Sequence, residues 1–592
     1  MRRVADIIMD ILVENDITDC FAVVGGGAMH LNNALALNNN INKYFNHHEQ
    51  ACSMAADAYA RISGKMPLVC VTSGPGGTNA ITGVLGAWQD SLPMLVISGQ
   101  VRYATTAESI GLKNLRYRGI QEFDIINSVK NMTKYTVMIK DPLAVKREIQ
   151  KAINIAMSGR RGPVWIDIPL DVQSAKVNED DLYPVENNHV VLPCATKEVL
   201  NEMWKLIKDA KRPCLLPGNG VVNSGNTEQF RAFAKKTGIP VIASCIAADV
   251  MFYDDPLFFG MSGSIGPRPG NFILQNADVI VSLGSPLGFK VTGFAPEYFA
   301  PNAKIIMIDI EEEEMKKLSF DIELFVHSDL AMFFKKVSPT TEQISVSKEW
   351  LDYCKKLKDR FSPFEPAKSV ANDERVTSYK FWEVYAEYEP EDSISVLGAN
   401  TANSAKLQIG VKKEKQRIVA SNNVGSMGAD LPETIGAAIA SGRTVICLTG
   451  DGSIMMNLQE LQTIAHYDLP AKIVVFNNEG YGAIRQTSNN FFNGVYVGCS
   501  EDSGLSFPPF EKVAEAFSFP YKKCENNGQI ADSLKWLFEQ KGRAFLEVLQ
   551  KFDDPVSPKV MSRMNEDGSF STPALHDMWP FLEKEDIDSL MF

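Results

Sequence analysis

Short apolar, β-branched runs separated by segments with helical spacing set the tightest limit on what this chain can fold into. In the first 170 residues they are Phe21–Val24, Leu68–Thr72, Met94–Ile97 and Val164–Ile168. Strands that are apolar throughout need cover on both faces, and their alternation with helices predicts a parallel sheet wrapped by helices. The rhythm returns at Cys214–Leu216, Val241–Ala243, Val279–Leu283 and Ile305–Ile308, and again at Ser393–Leu397, Val445–Leu448, Ile473–Phe476 and Ala544–Val548. Polar stretches interrupt it twice. One spans about 176–192, where Asn178-Glu179-Asp180-Asp181 leads to Pro184, Asn187 and Asn188 and reads as a linker; the other spans about 340–376 and contains a helical patch, Trp350–Lys358. A length of 592 residues exceeds one core. The expectation is an α/β protein with three doubly wound parallel-sheet domains in series, over 1–175, 193–340 and 377–592. The first and third share a strand–helix rhythm, and the last forty residues, from Asp553, are expected to drape over the surface or a neighbouring subunit.

Charge and cysteine usage narrow the partners. The 59 basic and 72 acidic residues leave a net charge of −13, and no Lys/Arg block is long enough to follow a phosphate backbone, so nucleic acid is not an expected partner. Nothing here is apolar for the roughly 18 residues that a bilayer requires. Met1-Arg2-Arg3 precedes an apolar stretch, but Asp6, Asp10 and Glu14 recur at helical spacing, so residues 3–15 read as an amphipathic helix and not as a signal peptide. The ten cysteines form no C-x-x-C pair, and several, such as Cys70 and Cys447, lie inside apolar strands, where Cys acts as a small hydrophobe. A reducing cytoplasm is the expected location.

Two fragments carry the chemistry. Gly450-Asp451-Gly452-Ser453 follows the strand Val445–Leu448 and opens a helical pattern, and Asn477-Asn478-Glu479-Gly480-Tyr481-Gly482 follows the strand Ile473–Phe476. A glycine turn lets backbone N–H groups approach phosphate oxygens, and a helix start favours the same charge. A hard divalent cation bridging a diphosphate takes a carboxylate, an amide oxygen and a backbone carbonyl. Each fragment alone is more often a plain turn. Together, at two strand ends of one sheet, where open α/β sheets bind ligands, they match the GDG…NN signature of thiamine-diphosphate-dependent enzymes. No G-x-x-x-x-G-K-[ST] run offers a rival nucleotide site. The resemblance implies Mg²⁺ held by Asp451, Asn478 and the carbonyl of Gly480, with Gly452 and Ser453 on the diphosphate and Tyr481 beside the cofactor.

Further segments extend the resemblance to the acetolactate synthase (acetohydroxyacid synthase large subunit) type. His47-His48-Glu49-Gln50-Ala51, Ala60-Arg61 and Thr72-Ser73-Gly74-Pro75-Gly76 are similar to the family's pyrimidine-binding domain. There a carboxylic acid hydrogen-bonds the aminopyrimidine and sets the proton balance that makes the thiazolium carbon nucleophilic; Glu49 is the implied acid. Gly425-Ser426-Met427-Gly428 through Leu431-Pro432 is similar to the segment whose bulky side chain bends the cofactor, which implies Met427 as the wedge and the Gly425 carbonyl as partner of the exocyclic amine. Gln121-Glu122, with Lys134 further on, is similar to the F-Q-E…T-K segment and implies Gln121 facing the substrate carbonyl. Gly25-Gly26 lie near the cofactor, with Gly25 in place of the family's Pro. Gly398 is retained near the diphosphate, and Ala399-Asn400 replace the usual Gln-His. Thr487 occupies the place of the Trp that selects a 2-keto acid acceptor. Gly284-Ser285-Pro286-Leu287-Gly288-Phe289-Lys290-Val291-Thr292-Gly293 keeps V-T-G and loses the R-F-D-D-R that accompanies FAD, whereas Gly218-Asn219-Gly220-Val221 still reads as a nucleotide-side turn, so FAD stays open here.

The implied activity is that of a carboligase: pyruvate or another 2-keto acid is decarboxylated and the two-carbon unit is added to a second carbonyl, either another pyruvate or a larger acceptor such as a keto-sugar nucleotide. The alternative is a decarboxylase that releases an aldehyde, and the pair His47-His48 does not separate the two. A homodimer or homotetramer with active sites between subunits is implied as well.

Overall fold

The computed structural model describes residues 1–112, 114–185, 191–339, 341–421, 423–564 and 567–592. The linker positions Asn187 and Asn188 lie outside the described residues.

The first block forms a six-stranded sheet from β1 (Asp19–Ala22), β2 (Asn42–Phe45), β3 (Leu68–Val71), β4 (Met94–Gln100), β5 (Tyr135–Met138) and β6 (Pro163–Pro169), in the order β2-β1-β3-β4-β6-β5. Every pairing is parallel, with Leu68 beside Leu95 and Met94 beside Pro163. Because side chains alternate along a strand, each strand feeds two cores. Val69, Val71 and Val96 enter one, and Leu68, Cys70, Leu95 and Ile97 enter the other. The second core is closed by α1 (Val4–Glu14), whose Ile7, Ile8, Ile11 and Leu12 are buried.

The central sheet contains β7 (Pro213–Pro217), β8 (Val241–Ala243), β9 (Phe258–Met261), β10 (Val279–Leu283), β11 (Lys304–Asp309) and β12 (Leu324–His327), ordered β9-β8-β7-β10-β11-β12. The third contains β13 (Ser393–Leu397), β14 (Arg417–Val419), β15 (Thr444–Gly450), β16 (Ala471–Asn477), β17 (Tyr521–Cys524) and β18 (Ala544–Leu549), ordered β14-β13-β15-β16-β18-β17. Strand for strand this is the order of the first sheet, so the shared rhythm of these two blocks reflects one topology used twice. All three sheets are parallel, and the chain is three α/β domains in series. All ten cysteines are free, and among them only Cys194 is other than buried.

The first and third sheets meet through helices of small residues. On the first, α2 (Glu49–Ser63) packs against α3 (Pro75–Gln89); on the third, α4 (Asp430–Ser441) packs against α2. Gly436 permits the approach, since a Cβ there would lie 1.9 Å from the Ala55 carbonyl oxygen. Buried ion pairs brace the first domain's side of this seam. Arg61 Nε donates to Asp57 at 2.6 Å and its Nη2 bonds Asp90, all three side chains being nearly inaccessible.

The tail packs on the central domain of its own chain. Leu575, Met578 and Leu590 join the core that Phe272, Ile280 and Trp350 build on one face of the central sheet. Asn271 Nδ2 donates to the Leu575 carbonyl (3.1 Å), Tyr353 Oη to the Leu590 carbonyl (2.7 Å), and the Phe592 ring lies 5.3 Å from that of Tyr353. These residues are structural, not draped. Among the described residues no helix is long and apolar enough to cross a membrane.

Candidate functional site

The carboxyl ends of β13, β15 and β16 open into a cavity of about 430 Å³ lined by Gly398, Asn400, Gly425, Met427, Gly452 and Ser453 together with Asp451, Asn478, Gly480 and Tyr481. Sequence residues spread over more than eighty positions therefore converge on one pocket. The reason is topological: β15 and β16 are adjacent, with Gly450 in register with Phe476, so the turns that follow them are neighbours.

Asp451 is the centre of this half. Its Oδ2 accepts from the N–H groups of Asn478 (3.0 Å) and Gly480 (3.0 Å), and its Oδ1 from Gly452 N–H (2.7 Å). Burial pushes its carboxyl up to about 6 despite these donors, so a nearby positive charge would restore the ionised form. Asn478 Oδ1 is buried without a hydrogen-bond partner, and so is Asn400 Nδ2. An orphaned buried acceptor beside a buried carboxylate fits a cation, and an orphaned donor in the same pocket fits an anion. Gly452 has no room for a side chain, because a Cβ would lie 2.1 Å from the Tyr481 ring and 3.3 Å from Met427 Cε. Ser453 Oγ accepts from Gly428 N–H at 2.9 Å, tying the Met427 segment to the Asp451 turn.

One residue that the sequence reading passed over organises the same turns. Arg485, fully buried on α5 (Gly482–Phe491), donates to the carbonyls of Asn478 (2.9 Å), Cys499 (3.2 Å) and Phe552 (2.7 Å) and lies 3.7 Å over the Phe552 ring. It fixes the backbone that presents Asn478. Its neighbour Thr487 is exposed and bonds the Ala483 carbonyl in its own helix.

Glu49, Gly25, Gly26 and Gln121 lie elsewhere, on the first sheet. Glu49 opens α2 and is buried; His48 caps the helix by accepting from Gln50 N–H, and Glu49 Oε2 accepts from Asn79 Nδ2 at 2.9 Å. A Cβ on Gly25 would lie 2.6 Å from the Thr72 side chain, whose Oγ1 accepts from Gly27 N–H at 3.0 Å. The Thr72 side chain thus fills the volume next to Gly25 and leaves no room for a Cβ there. A Cβ on Gly76 would lie 2.8 Å from Thr72 and 3.6 Å from Glu49 Oε1. Gln121 is exposed, in the left-handed region at φ +66°. None of these four lines the cavity around Asp451. The chain carries two half-sites that it does not itself join.

A second cavity, of about 270 Å³, opens at the carboxyl edge of the central sheet, with Asn219, Gly220, Gly284, Asp309 and Asp329 in its wall and Arg160 reaching in from the first domain. Burial pushes Asp309 up to about 6.

Comparison with known proteins matches three family descriptions: "Thiamine pyrophosphate enzyme, N-terminal TPP binding domain" over residues 2–127, "central domain" over 200–337 and "C-terminal TPP binding domain" over 397–548. The relatives run almost the full length. Acetolactate synthase 1, chloroplastic, of Zea mays is 30% identical over 577 residues, covering 95% of this chain and 87% of the relative. The chain belongs to the thiamine pyrophosphate enzyme family, in its acetolactate synthase-like branch. The acetolactate synthase large subunit of Lactococcus lactis subsp. lactis is 30% identical over 568 residues (95% of each chain), and the isozyme 2 large subunit of Escherichia coli 30% over 529 residues (89% and 92%). In this thiamine pyrophosphate enzyme the first and third sheets, which share a strand order, are the two TPP-binding domains.

Proposed function

We propose that this enzyme is a carboligase that decarboxylates pyruvate, or another 2-keto acid, and adds the two-carbon unit to a second carbonyl. The observation that carries the reading is the unpartnered Asn478 Oδ1 in one buried pocket with Asp451, in a chain that is acetolactate synthase-like over nearly its whole length. Asp451, Asn478 and the Gly480 carbonyl would hold Mg²⁺. Gly398, Asn400, Gly452, Ser453 and Tyr481 would surround the diphosphate, with the free Nδ2 of Asn400 as a donor. Met427 would support the bend of the cofactor and the Gly425 carbonyl would accept from its exocyclic amine. When bound, thiamine diphosphate supplies the carbon nucleophile and the electron sink for decarboxylation.

Glu49 would share a proton with the aminopyrimidine ring, its carboxylate kept in place by Asn79. Gly25 and Gly26 would form the wall beside it. Since Glu49 and Asp451 occupy separate half-sites, the reading includes a homodimer or a homotetramer in which Glu49 and Gln121 of one copy complete the pocket of the other. The 87% exposure of Ile120 beside Gln121 suits burial by a second copy. Gln121 would face the substrate carbonyl.

Pyruvate is the first acceptor to test, because the relatives named above are acetolactate synthases. Thr487, exposed and bonded within its own helix, leaves the acceptor side open to a larger carbonyl compound. Product analysis with labelled pyruvate, alone and with aldehydes or keto-sugar nucleotides, tests the reading. A ligated product is expected, and acetaldehyde as the main product would replace carboligation by simple decarboxylation. The visible absorbance of the purified protein reports whether FAD is bound.

A further inference from the structure

The loop that carries Gln121 is anchored on both sides by carboxylates that the proposed reaction does not use. On one side Glu122 spreads its carboxylate over three backbone donors: Oε1 accepts from Ala107 N–H (2.7 Å), and Oε2 from Arg118 N–H (2.7 Å) and Gly119 N–H (2.9 Å). Such charge-assisted bonds are about twice as strong as neutral ones. On the other side the Phe123 carbonyl accepts from Gln100 Nε2 (2.8 Å), which also donates to Asp167 Oδ2 (3.0 Å). Asp167 Oδ1 accepts from Ser98 Oγ (2.6 Å), and Ser98 Oγ accepts from Trp165 Nε1 (2.8 Å). Gln100 and Asp167 are 1% and 0% exposed, so this anchor belongs to the core of the first sheet.

Between the anchors Gln121 holds φ +66°, and its carbonyl oxygen lies 2.9 Å from where a Cβ on Gly74 would stand. A left-handed Gln is strained and persists only where its surroundings over-determine it. Two independent anchors do so here. The Glu122 anchor lies within a largely exposed loop, so it can be altered without opening the core of the first sheet.

We propose that Glu122 is a positioning residue for Gln121: its carboxylate gathers residues 107, 118 and 119 into one turn, so that Gln121 meets the reacting carbonyl in a single orientation. Gln100, held by Asp167, fixes the other end of the same segment. The proposal rests on the reading of Gln121 as substrate-facing and deepens it by assigning the residues that aim it.

The test is a double-mutant cycle on the full-length enzyme loaded with Mg²⁺ and thiamine diphosphate, with pyruvate as substrate. Glu122→Gln should lower kcat/KM about tenfold and shift products from ligation toward released aldehyde, with cofactor affinity and Tm close to the parent. In the Gln121→Ala background the same substitution should change neither kcat/KM nor the product ratio, because its effect runs through Gln121. Additive effects in the two backgrounds overturn the proposal. Hydrogen exchange at Ala107, Arg118 and Gly119 separates the two possible failures. Unchanged protection in Glu122→Gln shows that the clamp does not exist. Lost protection with Gln121→Ala silent in kinetics overturns the substrate-facing role of Gln121 and the positioning role with it. If Glu122→Gln does not fold, Gln100→Leu, which frees the Phe123 carbonyl, replaces it in the cycle with the same expected non-additivity.

Discussion

The backbone N–H of Asn478 donates to Oδ2 of Asp451 at 3.0 Å, so the turns after two neighbouring strands are fastened together before any ion is added. Arg485 draws on the Asn478 carbonyl from behind. The pocket is therefore preformed, and its parts can be removed one at a time.

Dialysis against a chelator should abolish activity, and Mg²⁺ with thiamine diphosphate should restore it. Asp451→Ala should weaken cofactor binding by more than about 100-fold, measured by calorimetry on refolded-checked protein. Activity indifferent to chelator and cofactor would sink the proposed function.

Glu49→Gln should still bind thiamine diphosphate yet slow proton exchange at the thiazolium carbon by about 10²–10⁴-fold. Exchange followed by NMR in deuterated buffer decides it, and an unchanged rate removes Glu49 from the activating role.

Asp167 gives a stability prediction with a definite sign. Burial raises its carboxyl from 3.8 to about 7. Between these values the folded chain keeps a proton that the unfolded chain has lost, so this group's contribution is intact below 3.8 and is lost as pH rises through about 7. The Tm difference between Asp167→Asn and the parent should move in favour of the variant across that window. A difference that is flat with pH contradicts the assignment.

Gly25→Ala should destabilise by about 1–3 kcal/mol, because its Cβ would meet Thr72 at 2.6 Å. Thr72→Gly should recover part of the loss in the double variant, beyond the sum of the single changes, in denaturant titrations. Additivity would mean that the two residues do not compete for this space.

Met578 is fully buried in the central domain's core, although it belongs to the tail. Met578→Ala should cost about 2–5 kcal/mol. A loss under 1 kcal/mol, read by thermal unfolding, would put the tail back on the surface.

The strands legible in the sequence are the four inner strands of each sheet, and the six that escaped, β2, β5, β9, β12, β14 and β17, are the six edges. The cause is physical. Inner strands are buried on both faces and read as unbroken apolar runs, whereas an edge such as Asn42-Lys43-Tyr44-Phe45 or Tyr521-Lys522-Lys523-Cys524 faces solvent and carries lysine; the edge Phe258–Met261 differs, being apolar and buried but only four residues long. The residues of the proposed diphosphate half-site were legible because they follow inner strands directly. Arg485 was not, because its work is done through backbone carbonyls that leave no pattern in composition. The Glu122 clamp escaped likewise, because it works through backbone N–H groups.

Because Leu575, Met578 and Leu590 join a core that begins near residue 213, the central domain cannot complete that face until synthesis has passed residue 590. The first sheet, whose strands all precede residue 170, has its parts ready long before. A product cut short before residue 575 would thus emerge with its first sheet built and its central domain open on that face.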